Sequence, residues 1–331
     1  HVARWEPSNP TLGATSLTGA LSASAVWGKL NRVRVDGTVD LKFSGLRVGE
    51  VAQSASGQAA GTFTQDGFTG RVLAADSGLS VGARGTTRWV GPAQSVADVE
   101  IRAASERSLP ALIRNELKGA NFSIAAFRGR VGWTGSKLTA LGNAQAEMLR
   151  ASGQMCRQIR AQVALSPDGL DLRNLRANYQ GATVVGDATY RTKGSQLRAA
   201  LQADHLDPSR WMKGATGRLA AKALVRGTLE KPEVLLDAAG PVSVRLGPAQ
   251  SPLAGQVELR GAIQNGRATI SRALWTGKEG IGVLSGTINL ARNSIDAKVQ
   301  VGNVPLKKWL PDLGGLGFAR GHLTGSLASP Q

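Results

Sequence analysis

The chain has 331 residues, room for one large core or for several copies of a smaller unit. It has no run of about 18 apolar residues, which excludes a membrane-spanning helix within this stretch. Lysine and arginine outnumber aspartate and glutamate by 40 to 23, for a formal charge of +17. The basic residues stand singly at alternating positions, as in Val33-Arg34-Val35 and Val244-Arg245-Leu246, and the densest cluster is of the Lys307-Lys308 kind; this spacing fits a solvated sheet face and argues against nucleic acid as a partner.

The chain opens on His1-Val2-Ala3-Arg4-Trp5, with no signal-peptide pattern, so we expect any leader or anchor to lie outside this stretch. From Val33 onwards, period-two alternation is nearly continuous and helical periodicity nearly absent. Val99-Glu100-Ile101-Arg102, Leu170-Asp171-Leu172-Arg173, Val257-Glu258-Leu259-Arg260 and Ile295 to Val301 are clear cases. Asp36-Gly37, Asp66-Gly67, Asp168-Gly169, Asn265-Gly266 and Arg292-Asn293-Ser294 punctuate these runs and predict hairpin turns, hence a mostly antiparallel meander. Ser108 to Gly119 reads as a short helix, with Ser108 as its cap and Pro110 in its first turn. Residues 140–160 read as strand.

Leu165 to Pro232 is answered about a hundred residues later by Ile263 to Pro330. Asp207-Pro208-Ser209-Arg210-Trp211 corresponds to Val304-Pro305-Leu306-Lys307-Lys308-Trp309, and Gly227-Thr228-Leu229 to Gly325-Ser326-Leu327. Trp211 and Trp309, like Gly227 and Gly325, differ by the same offset, which marks an internal repeat. A fainter copy runs from Asp66-Gly67 through Gly78-Leu79-Ser80-Val81-Gly82 to Ser108. The expected fold is therefore an all-β tandem-repeat sheet with units near 1–119, 120–217 and 218–331. Short helical turns are expected near 108–118, 207–213 and 305–310, and Trp211 and Trp309 are expected to plug an apolar face.

A sheet with one apolar face must cover it, either by closing on itself or by meeting a ligand. The apolar members of the alternating runs are the candidate lining: Leu170, Leu172, Val244, Leu246, Val257, Leu259, Ile270, Ile288, Leu290, Val299 and Val301. No catalytic or metal-binding pattern accompanies them. His205 and His322 lack Asp, Glu or Cys at ligand spacing, and Cys156 is the single thiol. Gly277-Lys278-Glu279-Gly280-Ile281-Gly282 has no phosphate-loop signature and reads as a hairpin turn, and no Gly-x-Ser-x-Gly elbow occurs. Asn121-Phe122-Ser123 fits the glycosylation triplet, a pattern too short to carry weight. The expectation is a non-enzyme without cofactor or metal.

Leu170 to Ala182 followed by Gly186-Asp187-Ala188-Thr189-Tyr190, the segment His205 to Trp211, and Gly286-Thr287-Ile288-Asn289-Leu290 running towards Trp309 resemble the AsmA-like repeat proteins of Gram-negative bacteria, nearest their TamB branch. The resemblance covers 60–331 well and 1–60 thinly. It implies a U-shaped, taco-like β-sheet with a continuous hydrophobic groove, tethered to the inner membrane by an N-terminal anchor and crossing the periplasm. Its ligand would be the acyl chains of phospholipid, and its partner a TamA-like outer-membrane barrel reached through a segment not in this chain. A different class of function, a chaperone-like scaffold for outer-membrane proteins and autotransporters, is the alternative. A secreted adhesin would show repeats far shorter than about 98 residues, and a membrane barrel would need more than the two tyrosines present for its aromatic girdles.

Overall fold

A computed structural model describes residues 12–13, 16–27, 33–48, 51–89, 94–108, 121–135, 137–151, 153–210, 214–228, 230–245, 252–308, 312, 314–326 and 329–330. Among them the regular structure is β-strand with short 3-10 turns, and no α-helix is present. The all-β, antiparallel expectation is borne out. The chain divides into two units, His1–Leu172 and Arg173–Gln331, with β11 (Gly169–Tyr179) running from the first into the second.

The first unit holds β1 (Leu12–Gly13), β2 (Ser16–Trp27), β3 (Val33–Val48), β4 (Val51–Thr64), β5 (Gly67–Asp76), β6 (Leu79–Arg88), β7 (Gln94–Ser105), β8 (Asn121–Thr134), β9 (Lys137–Ala151) and β10 (Gln154–Ser166). Strands β2 to β10 pair in sequence order, each antiparallel to the next, and β1 pairs with the far end of β3. The second unit holds β12 (Ala182–Arg191), β13 (Gln196–Leu206), β14 (Ala215–Gly217), β15 (Leu219–Thr228), β16 (Pro232–Val244), β17 (Leu253–Gln264), β18 (Arg267–Gly277), β19 (Gly280–Asn289), β20 (Ser294–Pro305), β21 (Leu316–Ser326) and β22 (Ser329–Pro330). It is again an antiparallel meander, except that β13 pairs with β15 while the short β14 pairs with the end of β16.

Local sequence sets the turns. Asn265 and Gly266 both take positive φ, 51° and 70°, the signature of the tight turn that matches strand twist, and they join β17 to β18. Asp66-Gly67 joins β4 to β5, with the Thr64 hydroxyl accepting the Asp66 N–H at 3.2 Å. Lys278-Glu279 forms the turn between β18 and β19, and residues 140–151 and 154–160 fall in β9 and β10, as the strand reading expects. Asp36-Gly37 is a correction: it lies inside β3, not in a turn. Gly37 stands opposite both Ala23 and Phe63, and a Cβ there would meet Phe63 Cε1 at 2.6 Å, so the glycine makes room for a ring across the sheet.

The repeat is visible in element positions. β11, β12, β13 and a 3-10 turn begin at Gly169, Ala182, Gln196 and Pro208; β18, β19, β20 and another 3-10 turn begin 98 residues later, at Arg267, Gly280, Ser294 and Leu306. The fainter copy shares this order: β5, β6, β7 and a 3-10 turn at Glu106–Ser108. Turns of the 3-10 type, three residues each, occur at Pro208–Arg210 and Leu306–Lys308, inside two of the predicted helical segments, and at Glu106–Ser108, which meets the predicted 108–118 segment only at Ser108. Residues 109–118, Trp211 and Trp309 lie outside the described residues. Asp207 caps its turn as its sequence implies, accepting the Ser209 N–H at 2.9 Å. His205 and Asn303 both sit in the left-handed region, at φ 63° and 57°, where the pairing shifts register after Ala203 and Val301. His205 is thus a bulge residue, like its repeat partner Asn303.

Candidate apolar binding face

Directly opposite residues of an antiparallel pair share a face, so the registers can be followed across each unit. In the second unit one unbroken row reads Ala203, Ala221, Ala238, Leu259, Ala273, Leu284, Val299 and Gly321. A parallel row on the same face reads Val257, Trp275, Gly282, Val301 and Ala319. One residue along, on the opposite face, the row reads Gln202, Lys222, Asp237, Arg260 and Arg272. Followed through β12 to β21, the first face carries no Lys, Arg, Asp or Glu at any paired position, and Tyr190 is its one hydroxyl-bearing residue.

The first unit has the same division. Leu41, Ala59, Val72, Ala83, Val99, Gly129, Gly142 and Val163 form one row across eight strands, β3 to β10. On the opposite face, Arg71, Arg84, Asp98 and Arg130 stand in line.

These apolar faces are not closed cores. Among the described residues the buried apolar side chains are alanines, Val242 and Pro208, and no large side chain is fully buried. A sheet packed on a second layer would bury its Leu, Ile and Val completely. Here Leu259, Leu284, Val299 and Val301 are only half-buried, and on the apolar face of the first unit Trp133 is 55% exposed.

Val244, Val257, Leu259, Ile270, Ile288, Val299 and Val301 all lie on the apolar face of the second unit. Leu170 and Leu172 are half-buried alternate residues of β11, with Asp171 between them. Leu290 lies in the turn after β19 and is 52% exposed. Leu246 lies outside the described residues. Alternation did not single out Trp275, Ala273 or Leu284, whose place on this face depends on pairing with β17 and β19.

No family model, curated protein or solved structure matches this chain. Its chemistry must therefore be read from the faces themselves.

The polar face holds the ion pairs. Arg226 and Glu233 bridge β15 and β16 at 2.6 Å, Arg260 and Asp237 bridge β16 and β17 at 3.4 Å, and Arg130 and Asp98 bridge β7 and β8 at 3.2 Å. The hydrogen bond from Arg226 holds the Glu233 carboxyl below the ordinary carboxylate range, and the same bond raises the Arg226 guanidinium. Hydrogen bonds from Ser209, with Arg210 nearby, likewise lower Asp207. His322 and Asp296 approach to 2.6 Å across β20 and β21. Most of these groups are largely in water, where such pairs add little to stability; Glu233, whose side chain is 24% exposed, is more covered than its partner. Partial burial raises the Cys156 thiol, which favours its protonated, unreactive form. Among the described residues no three His, Cys, Asp or Glu side chains converge as a metal site, and no helix is long and apolar enough to cross a membrane.

Proposed function

We propose that this chain carries phospholipid along its apolar β-face, as a periplasmic segment of an AsmA-like, TamB-like bridge between inner and outer membranes. The observation that carries the reading is the uncharged, half-exposed face spanning β12 to β21, with its counterpart across β3 to β10. Such a face takes up an acyl chain by burial alone, at roughly 0.8 kcal/mol per CH₂. It offers almost no hydrogen-bonding group, so it does not select one lipid strongly and does not hold it at one place. The charged opposite face keeps the sheet in water. In this reading the inner-membrane tether and the outer-membrane barrel partner belong to parts of the protein outside this chain.

The test is photo-crosslinking in Gram-negative cells with benzoylphenylalanine at Leu259 or, one residue along on the other face, at Arg260. Phospholipid adducts at 259 and none at 260 are expected. Protein adducts at 259 in place of lipid would refute lipid carriage and favour a scaffold for nascent outer-membrane proteins.

A further inference from the structure

Two aromatic rings of the apolar faces, Trp275 and Phe68, lie over glycine. In the second unit, a Cβ built on Gly277 would meet Trp275 Cζ2 at 2.5 Å and Cη2 at 2.7 Å; one built on Gly255 would meet Trp275 Cε2 at 2.7 Å and Nε1 closer still. Gly277 follows Trp275 by two residues on β18, and Gly255 stands directly opposite Gly277 on β17. The indole therefore runs along its own strand over two bare backbones. Phe68 repeats the arrangement in the first unit: Gly70 follows it by two residues, and Gly61 stands opposite Gly70. There a Cβ on Gly61 would meet Phe68 Cζ at 2.7 Å, and one on Gly70 would meet Cε1 at 2.8 Å. None of the four glycines takes a left-handed φ, so backbone conformation does not demand them. What demands them is space, some taken by the ring and some by backbone oxygens, such as Ala254 O at 2.6 Å from the Gly277 position. Gly282, beside Trp275 on β19, differs: a Cβ there would stand 3.9 Å from Trp275 Cβ and 4.0 Å from Cε3, an ordinary contact.

We propose that Gly255 and Gly277 are positioning residues that set the clearance of the lipid-carrying face by holding Trp275 down as floor. This rests on the lipid-carrying reading above. A flat ring adds about one van der Waals layer, ~3.5 Å, to the sheet. A ring lifted by a methyl beneath it would stand among Val257, Val301 and the acyl chains themselves. Glycine placed for aromatic cover stabilises sheets in general. Clearance adds a consequence that stability alone does not: removing the ring should relieve part of the damage done by a methyl at 277, leaving the part that comes from the Ala254 carbonyl oxygen.

The test compares the full chain with Gly255→Ala, Gly277→Ala, Gly282→Ala, Trp275→Ala and the double variant Gly277→Ala/Trp275→Ala. Each is loaded from vesicles of phosphatidylethanolamine and phosphatidylglycerol, and bound phospholipid is counted by native mass spectrometry. Gly255→Ala and Gly277→Ala should lose about fivefold or more of the bound lipid, Gly282→Ala should match the wild type, and the double variant should bind more lipid than Gly277→Ala alone, by about twofold or more. Wild-type loading in both glycine variants, or no recovery in the double variant, overturns the clearance proposal alone. A lipid-free wild type overturns the carriage reading on which it rests. Should a glycine variant lose its strand circular dichroism, quenching decides. Phospholipid brominated mid-chain should quench emission in the loaded wild type more than in Trp275→Phe, and equal quenching overturns the proposal.

Discussion

One step along β17 changes a side chain's surroundings completely. Leu259 stands between Ala238 and Ala273, whereas Arg260 stands between Asp237 and Arg272. Because Leu259 is only half-buried, Leu259→Ala should cost about 1 kcal/mol in urea unfolding, well short of the 2–5 kcal/mol typical of closed cores. A cost in that upper range would mean a covered face. Glu233 supplies a test on the other face. Its carboxyl is held down by Arg226 in the folded state, so its contribution is present above the unfolded carboxylate range and is lost as pH falls through the lower folded value. Thermal midpoints followed from pH 7 to pH 3 should fall less steeply in Glu233→Gln than in the wild type, by a small margin because the Arg226 partner is exposed. Identical slopes would remove the pair from the acid response. At this scale alternation alone puts Val257 with Leu259, and Val299 with Val301, on one side of their strands, since a period of two needs no knowledge of the partner strand. It did not reveal why Gly255 and Gly277 are glycine, because the ring that occupies their space is placed by cross-strand register.

Hairpins and bulges carry the element-scale argument. Asn265 and Gly266 both need positive φ, which asparagine and glycine adopt at low cost and a β-branched residue does not. Gly266→Val should destabilise by about 1–2 kcal/mol in urea unfolding, with the strand circular dichroism unchanged in water. No loss would show that the turn relaxes to another type. His205→Asn, which copies the repeat partner Asn303, should leave the melting temperature within about 2 °C of the wild type, while His205→Val should lower it. Equal loss from both would give the imidazole a role beyond the bulge. The Asp-Gly signal succeeded at Asp66-Gly67, where alternating runs end on both sides. It failed at Asp36-Gly37, where alternation continues through the pair and Phe63 takes the glycine's space. The 3-10 turns at Pro208–Arg210 and Leu306–Lys308 were legible from Asp207-Pro208 and Pro305, residue types that favour the start of a helical turn.

Both units sort their residues in the same way, although only the later copies share an offset of 98 residues. In the second unit the excess of positive charge does not disturb this sorting, because the lysines and arginines at the paired positions of β12 to β21 occupy the polar face; in the first unit Arg150 and Arg157, near one end of β9 and β10, are exceptions. Composition alone could not distinguish a closed core from an open face, since both need the same alternation; half-exposure of Leu259 and Val299, with alanine filling the buried places, is what separates them. The most direct test is native mass spectrometry with lipid extraction on this chain purified from bacterial cells, beside Leu259→Glu and Val299→Glu. Phospholipid should accompany the wild type and be lost from both variants, whose circular dichroism should still report folded β-sheet, because a carboxylate at a half-exposed position reaches water. A lipid-free wild type, with both variants unfolded, would contradict the account and show that the face is a covered core.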